Sequence, residues 1–504
     1  MKRTFLIIFI LLVSFGGFLS ASDEFSKIKN SVSEFTLPNG LKFILLEDHS
    51  VPIASFVTYV NAGSSDERIG IWGISHILEH MAFKGTSEVG TKNIVEEKKV
   101  QEQMDRLFDQ IADEKDKIKP DQEKIKALET EINKLSEKEA AFVIPNEFIN
   151  ILTENGVEDL NAGTGTDATM YYFSLPSNKL ELWAYLESRR FLDPVFREFY
   201  KERNVIMEER RMRYENQPQG KLYEEFVGLA FRNHPYHTLG IGPMSNLERI
   251  KRSDISNYFN ANYAAKNMII GVAGDIYPDQ LKKMAEKYFS SFKSGKRNPN
   301  SFTVEPPQVG EKRVTMYEES QPCVFMGYRS PARSHSDYLK FTILNNILFV
   351  GRSSRIYKRM VIDEKSALGA SGFQGLPGSK YPGIYLIFTL PNSGKTNNSL
   401  IATIQDEIEK IKKTSVTEEE LLSAKIRTRV SLINSMESPT GLLIGLISSE
   451  FESGSWTTYF DKIQEIEKIS TSDIQELAKK YLNPNSCVIA QIEKAEDKKE
   501  EVQK

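Results

Sequence analysis

The sequence lacks several features that stabilise other proteins of its length or determine their partners and location. Only two cysteines, Cys323 and Cys487, occur among 504 residues, so disulfide bonds do not hold the fold together. Whether these two cysteines pair with each other is left open by the sequence. The net charge is only −4, which gives no electrostatic basis for binding nucleic acid. The sequence therefore predicts a chain held by its apolar core, with no nucleic-acid partner.

The amino-terminal apolar run, Phe5 to Leu19, is short for a membrane span. It follows Lys2 and Arg3 and precedes a group of small residues, which is the order of a secretory signal peptide. We predict a signal peptide over residues 1–22, with an uncleaved membrane anchor as the alternative. Cleavage would leave a net charge of −6 and no stable membrane span, and would place the protein in the periplasm or outside the cell.

What the sequence does contain is a motif of histidine and glutamate, H-x-x-E-H, formed by His76, Glu79 and His80. On a helix, His76 and His80 lie one turn apart on one face, where both imidazoles can reach one metal ion. Neutral imidazole suits Zn²⁺, and a catalytic zinc site leaves one position to water, whose proton a nearby carboxylate can accept. We therefore predict one zinc ion per chain on His76 and His80, with Glu79 as general base. The alternative is a coincidence on an amphipathic helix.

A third zinc ligand is expected from the acidic helix further along the chain. Val205 and Met212 predict an inward face that also carries Glu209, whereas Glu208 is turned about 100° away. Glu202 lies seven residues before Glu209 and shares its face. The sequence therefore predicts Glu209 as the third ligand, with Glu202 on the same face of the helix.

The segment from Val95 to Lys138 is rich in charged residues but keeps a regular apolar spacing on both sides of Pro120. This spacing indicates two heptad-like helices in an antiparallel, coiled-coil-like hairpin with one apolar seam. Disorder is the alternative. Because one seam needs no further burial, we expect that the hairpin can be deleted without loss of the fold. The apolar positions are Val100, Met104, Leu107, Ile111, Ile125, Leu128, Ile132 and Leu135.

Two similar stretches indicate an internal duplication. Ser253-Asp254-Ile255 and Ser472-Asp473-Ile474 each start a helix that leads to an apolar strand, about 219 residues apart. We predict an α+β fold of two homologous α/β-sandwich domains, each a sheet covered by helices. The expected segments are a first domain over 33–290, a linker over 291–308, a second domain over 309–493 and a disordered tail over 494–504.

These residues and their neighbours resemble one known family, the pitrilysin-type metallopeptidases or inverzincins. The resemblance covers most of residues 33–290, and the second half looks like the family's non-catalytic repeat. It implies a zinc endopeptidase in which the two domains form a clam-like chamber for unfolded peptides. The zinc would lie on His76, His80 and Glu209, with Glu202 behind the site as a supporting residue. The similar segments, in the family order, are FTLPNGLKFILLED (35–48), WGISHILEHMAFKGT (72–86), LNAGTGTDATMYYFSLP (160–176), ERNVIMEE (202–209) and HPYHTLGIG (234–242).

The resemblance also implies an insertion, a peptide-binding strand and a missing part. The family does not usually separate the zinc helix this far from the segment of Asn161, which implies that the hairpin within residues 95–138 is an insertion. Asn161 and Ala162 match an edge strand that binds the substrate backbone. Complete members carry in their second half an Arg and a Tyr seven residues apart, whereas this chain has Asp363 and Ala370. Related enzymes pair two chains, which implies a heterodimer with a homologous subunit that lacks the zinc motif and supplies the Arg and Tyr. The alternative function is a catalytically idle scaffold or peptide-binding subunit.

Overall fold

The structure is a computed structural model that describes residues 27–296 and 303–495. The strands are β1 (Val32–Thr36), β2 (Lys42–Glu47), β3 (Ile53–Val60), β4 (Glu158–Thr164), β5 (Thr169–Pro176), β6 (Met268–Gly274), β7 (Lys312–Glu318), β8 (Cys323–Ser330), β9 (Ala367–Leu376), β10 (Gly383–Pro391) and β11 (Val488–Lys494). The helices before the linker are α1 (Ile74–Met81), α2 (Ile94–Lys115), α3 (Gln122–Ala140), α4 (Glu147–Glu154), α5 (Leu180–Leu192), α6 (Phe199–Arg210), α7 (Pro218–Ala230), α8 (Met244–Leu247), α9 (Arg252–Asn262) and α10 (Pro278–Phe289). Those after it are α11 (Asp337–Leu348), α12 (Arg355–Tyr357), α13 (Asn397–Lys413), α14 (Glu418–Glu437), α15 (Pro439–Ser453), α16 (Thr458–Lys468) and α17 (Thr471–Tyr481).

The strands form two sheets of the same design. The first has the order β1-β2-β6-β3-β5-β4, and the second has the order β7-β11-β8-β10-β9. The pairs β2/β6 and β7/β11 are parallel, and the other neighbours are antiparallel. The second sheet thus repeats the first from β2 to β4. The predicted fold class, two α/β units built on sheets covered by helices, is confirmed.

Each sheet packs against helices of both halves. On one face of the first sheet, Phe56 stacks on Trp183 of α5, with ring centroids 4.4 Å apart. Its other face packs against α15 from the second half, where Leu443 and Ile447 join the core. In return, α7 from the first half covers the second sheet. Phe226 of α7 lies 2.5 Å from the place of a Cβ on Gly327, so this close approach requires glycine. The two halves therefore exchange one helix each.

Helices α2 and α3 pack antiparallel, but their seam is not their only interface. On α6, the ring of Tyr200 stacks on Phe108 at 4.0 Å, and the Arg203 guanidinium lies 4.2 Å above the same ring. Glu97 forms a buried ion pair with Arg197, which precedes α6. The expectation that the hairpin buries only its own seam is wrong, because aromatic and charged residues that apolar periodicity does not detect make a second contact. The buried seam residues within the core of the first half are Val100, Met104, Ile111, Ile125 and Ile132.

Both cysteines are buried and free. Cys323 lies opposite Ile492 in the β8/β11 pair, whereas Cys487 precedes the other end of β11, so the register keeps the two thiols apart. The predicted signal peptide over 1–22 lies outside the described residues, as do the middle of the linker and nearly all of the predicted tail. Within the part of the chain that the structure describes, no single helix is long and apolar enough to cross a membrane.

Candidate metal centre

The short helix α1 is fixed at its start by a special backbone conformation. Gly73 precedes the helix with a φ of 97°, and a Cβ there would lie 2.5 Å from the carbonyl oxygen of Ile241. Only glycine fits such a position without strain. From this start, Ile77 and Leu78 point into the core, and His76 and His80 lie on the opposite side. The two imidazoles meet nearly at right angles, with ring centroids 5.0 Å apart.

Helix α6 brings an acidic side chain to these imidazoles. An oxygen of Glu209 lies 3.6 Å from Nε2 of His76, and both side chains are about 15 % exposed. One potential ligand atom from each of His76, His80 and Glu209 lies within 4.8 Å of the other two. Ligand atoms around one zinc ion stand about 3 to 4 Å apart, since each lies about 2.0 to 2.2 Å from the metal. Two imidazole nitrogens and a carboxylate oxygen, so placed, fit a zinc ion.

The reason that the sequence offers for choosing Glu209 over Glu208 does not hold. Val205 and Met212, the expected inward residues, are 46 % and 63 % exposed. The buried side of α6 is instead formed by aromatic, basic and aliphatic residues, and its regular turns end at a wider π-helical turn. Glu208 is 66 % exposed and pairs with Arg211. The structure therefore places Glu209 next to His76 for reasons of tertiary packing, without the apolar stripe that the sequence predicts.

The electrostatic surroundings of the two histidines differ. Burial lowers the pKa of His76 to about 4, and the charges of His80 and Arg213 act in the same direction. His76 is therefore neutral at physiological pH, which is the form that binds a metal ion. Burial also acts to lower the pKa of His80, but its contact with Glu202 and the nearby carboxylates raise the pKa overall. These carboxylates therefore favour the protonated form of His80, whereas metal binding requires the neutral form.

Glu202 of α6 lies next to His80. Its Oε2 lies 3.5 Å from Nδ1 of His80, and its other oxygen accepts a hydrogen bond from Lys84. Burial acts to raise the pKa of Glu202, but these two partners hold it at about 2. Lys84 also pairs with Glu198 at 3.2 Å. The sequence analysis did not identify Lys84, because its role depends on contacts with α6, more than a hundred residues further along the chain.

Glu79 precedes His80 on α1 and is half-buried. Its negative charge lies close enough to His80 to contribute to the raised pKa of that imidazole. The same charge contributes to the raised pKa values of Tyr171 and Tyr263, whose hydroxyl groups lie 3.1 Å apart in the core. The Glu79 carboxylate therefore lies close enough to both His80 and the buried pair of tyrosines to affect their pKa values.

Strand β4 forms the edge of the first sheet next to α1. Asn161 lies opposite Tyr172 of β5, and Ala162 lies opposite Tyr171. The N–H of Ala162 donates to Oδ1 of Asn161 at 2.8 Å. In the described residues no further strand pairs with β4, so one side of its backbone is available for pairing.

The second half has a counterpart of this site without its chemistry. Helices α11 and α14 take the places of α1 and α6 in the repeated topology. Thr428 lies 219 residues after Glu209, which is the spacing of the internal duplication. Nδ2 of Asn346 donates to its hydroxyl group at 3.2 Å. Asp363 pairs with the exposed Lys358, and Ala370 is buried in β9.

Comparison with known families gives two matches. The insulinase profile, peptidase family M16, matches residues 42–100, and the profile of the peptidase M16 inactive domain matches residues 249–428. The first match contains His76, Glu79 and His80. Most of the second match lies in the half that lacks the candidate metal ligands.

Individual proteins agree with these matches. The chain is 27 % identical over 480 residues to the zinc protease PqqE of Helicobacter pylori and covers 94 % of both sequences. It is 24 % identical to the beta subunit of the mitochondrial-processing peptidase of Lentinula edodes, over 89 % of this chain and 86 % of that one. The crystal structure of a protease from Helicobacter pylori superposes with a TM-score of 0.75 at 24 % identity, covering 92 % of this chain and 99 % of the other. The clam-like two-domain fold implied by the sequence resemblance is thereby confirmed.

Proposed function

The chain belongs to peptidase family M16, the insulinase or pitrilysin-type peptidases, and on that premise we propose that it is a zinc-dependent endopeptidase that hydrolyses unfolded peptides. The observation that carries the proposal is the meeting of His76 and His80 from α1 with Glu209 from α6. The low pKa of His76 and the contact of His80 with Glu202 support it further, because both favour metal binding.

In the proposed mechanism His76, His80 and Glu209 would hold the zinc ion, which supplies Lewis acidity and lowers the pKa of water at the site. Glu79 accepts the proton of the attacking water and passes it to the leaving amine. Glu202 fixes the ring of His80 through Nδ1, which leaves Nε2 of that ring for the metal.

We further propose that the substrate backbone adds to the free edge of β4. A carbonyl group of the substrate would accept the hydrogen bond that the N–H of Ala162 now donates to Asn161. Pairing through the main chain requires an extended segment, which suits an unfolded peptide. The variant Ala162→Pro lacks this N–H, and proline is tolerated where the N–H of an edge strand points outward. It should raise KM while metal content stays unchanged, and an unchanged KM would contradict this binding mode.

The test of the proposed reaction compares two variants of one kind. Glu79→Gln keeps all three ligands, so it should retain zinc but lose about 10² to 10⁴ in peptide hydrolysis, since the proton acceptor is gone. Glu208→Gln removes an exposed carboxylate from α6 and should change neither the zinc content nor the rate of peptide hydrolysis. Chelator should abolish cleavage by the wild type, and added zinc should restore it. Turnover by Glu79→Gln close to that of the wild type would refute the assignment of the base.

The second candidate function is a catalytically idle peptide-binding subunit, and one observation favours a subunit role of either kind. Asp363 and Ala370 replace the Arg and Tyr expected in the second half, so this chain carries the metal residues without that pair. We propose that a homologous partner supplies the pair, which agrees with the likeness to the beta subunit of a processing peptidase. The recombinant chain alone should then bind zinc but cleave peptides poorly, and mixing with the partner should restore cleavage. Full activity of the chain alone would refute the pairing.

The location of the protein is proposed from the amino-terminal segment. Lys2 and Arg3, the apolar run from Phe5 to Leu19 and the small residues after it support export to the periplasm or beyond the cell. Amino-terminal sequencing of the protein from its native source should begin close to Asp23. A sequence that begins at Met1 or Lys2 would contradict cleavage.

A further inference from the structure

A buried carboxylate lies at the start of the metal-site helix and belongs to none of the roles assigned above. Glu67 accepts a hydrogen bond from the N–H of Gly73 at 2.7 Å and another from the N–H of Ser75 at 2.9 Å. Each of its two oxygens takes one of these donors. The residue is 9 % exposed, so water does not replace these bonds. Its side chain therefore holds the first turn of α1 from the preceding loop.

The length of α1 makes this contact important for the ligands. The helix has eight residues, about two turns, and His76 is its third residue. The first N–H groups of a helix have no partner within the helix, and its start carries a partial positive charge. Glu67 supplies acceptors for two N–H groups at this helix start with one side chain. A displacement of the first turn would move His76 directly, because no long stretch of helix lies between them.

The same turn is joined to the rest of the first half through a second contact. The hydroxyl of Ser75 donates to the hydroxyl of Tyr258 on α9 at 2.8 Å, and Tyr258 donates to the carbonyl of Gly63 at 3.2 Å. The charge of Asp66 contributes to the raised pKa of Glu67, and Glu67 and Asp66 both contribute to the raised pKa of Tyr258. The start of α1 is thus tied to the loop before it and to a helix almost two hundred residues away.

We propose that Glu67 is a positioning residue of the metal site, which sets the place of His76 relative to Glu209 by fixing the amino end of α1. The inference rests on the proposed function, because it concerns the helix that would carry two of the ligands. Loss of the carboxylate leaves two buried N–H groups without acceptors, and the helix start must move to satisfy them. The distance between the nitrogen of His76 and the oxygen of Glu209 then changes although neither ligand is altered.

The experiment uses the full chain and Co²⁺ as a spectroscopic substitute for zinc. Glu67→Ala removes both acceptors, whereas Glu67→Gln keeps the size of the side chain and one acceptor. The matched control is Glu407→Gln on α13, which removes a buried, paired carboxylate far along the chain in the second half. Three properties are measured: the Co²⁺ dissociation constant by competition with a chelator, the visible absorption spectrum of bound Co²⁺, and hydrogen exchange of residues 74–81 in the metal-free protein.

Glu67→Ala should weaken Co²⁺ binding by about 10- to 100-fold, the usual effect of losing a residue that orients metal ligands. Its Co²⁺ spectrum should change, and exchange over residues 74–81 should accelerate without metal present. Glu67→Gln should fall between the wild type and Glu67→Ala, and Glu407→Gln should bind Co²⁺ as the wild type does.

Wild-type affinity and spectrum in Glu67→Ala would overturn the inference and leave the proposed function intact. If Glu67→Ala does not fold, Glu67→Gln decides, and wild-type affinity and exchange in that variant would overturn the inference as well. Failure of the wild type to bind Co²⁺ or zinc would instead refute the proposed function. The two failures are therefore distinguishable.

Discussion

The ion pair between Glu97 and Arg197 allows a quantitative test of how firmly the helical hairpin is joined to the metal-site half. Nε of Arg197 lies 2.9 Å from Oε1 of Glu97, and the two side chains are 1 % and 0 % exposed. The same guanidinium donates to the carbonyls of Lys84, Thr86 and Val89, in the loop that follows the metal-site helix. Substitution of Glu97 by Gln would leave this arginine charge buried without its counter-charge.

Removal of one partner from a buried pair costs about 3 to 5 kcal/mol in the free energy of unfolding, because the remaining charge is uncompensated. Total stabilities of domains are about 5 to 15 kcal/mol, so the loss should be large. The neighbouring Glu96 provides a matched control on the same helix. It pairs with Lys99 at 2.6 Å, but both side chains are about half exposed. Such surface pairs contribute about 0 to 1 kcal/mol, so Glu96→Gln should have little effect.

The assay is urea unfolding followed by circular dichroism, with Glu97→Gln, Glu96→Gln and the wild type measured side by side. The expected result is a strongly lowered midpoint for Glu97→Gln and a midpoint near that of the wild type for Glu96→Gln. A loss below about 1 kcal/mol for Glu97→Gln, or equal losses for both variants, would refute the view that the buried pair anchors the hairpin.

Three further predictions concern the hairpin, Glu67 and the third ligand. Replacement of residues 95–138 by a short linker should give an unfolded or insoluble chain, because it uncovers α6 and the buried seam contributes to the core; a soluble product with wild-type urea midpoint would contradict this. Burial raises the pKa of Glu67 to about 8, above its value in the unfolded chain. Between about pH 5 and 8 the folded state therefore binds a proton that the unfolded state has lost, so the free energy of unfolding falls as pH rises across this range. Glu67→Gln should remove this pH dependence, which amounts to a few kcal/mol at most in the free energy of unfolding. If the unfolding midpoints of the variant change with pH as those of the wild type do, Glu67 is excluded as the cause. Glu209→Gln should lower zinc content well below that of Glu208→Gln, and metal analysis showing the opposite order would exclude Glu209 as the ligand.

The sequence by itself determined the parts of this protein that depend on local spacing. His76 and His80 lie four residues apart, and any helix through them places both imidazoles on one face. The apolar positions from Val100 to Ile132 gave the two helices of the hairpin and their seam, because heptad spacing is a local property. The two Ser-Asp-Ile stretches indicated a duplication, and the repeated strand order of the two sheets agrees with it.

Only the tertiary structure decided which side chains far apart in the sequence meet. The apolar stripe expected through Val205 and Met212 is exposed, so the place of Glu209 follows from the packing of α6 against α1 and against the hairpin. Apolar periodicity also gave no sign of the exchange of α7 and α15 between the halves, since it shows that a helix has an apolar face but not which sheet covers it. The role of Glu67 could not be predicted from the sequence, because it too depends on which segments meet in the fold. From the sequence, a carboxylate in a polar loop is expected to be solvated. In the fold, the N–H groups at the start of α1 donate to it.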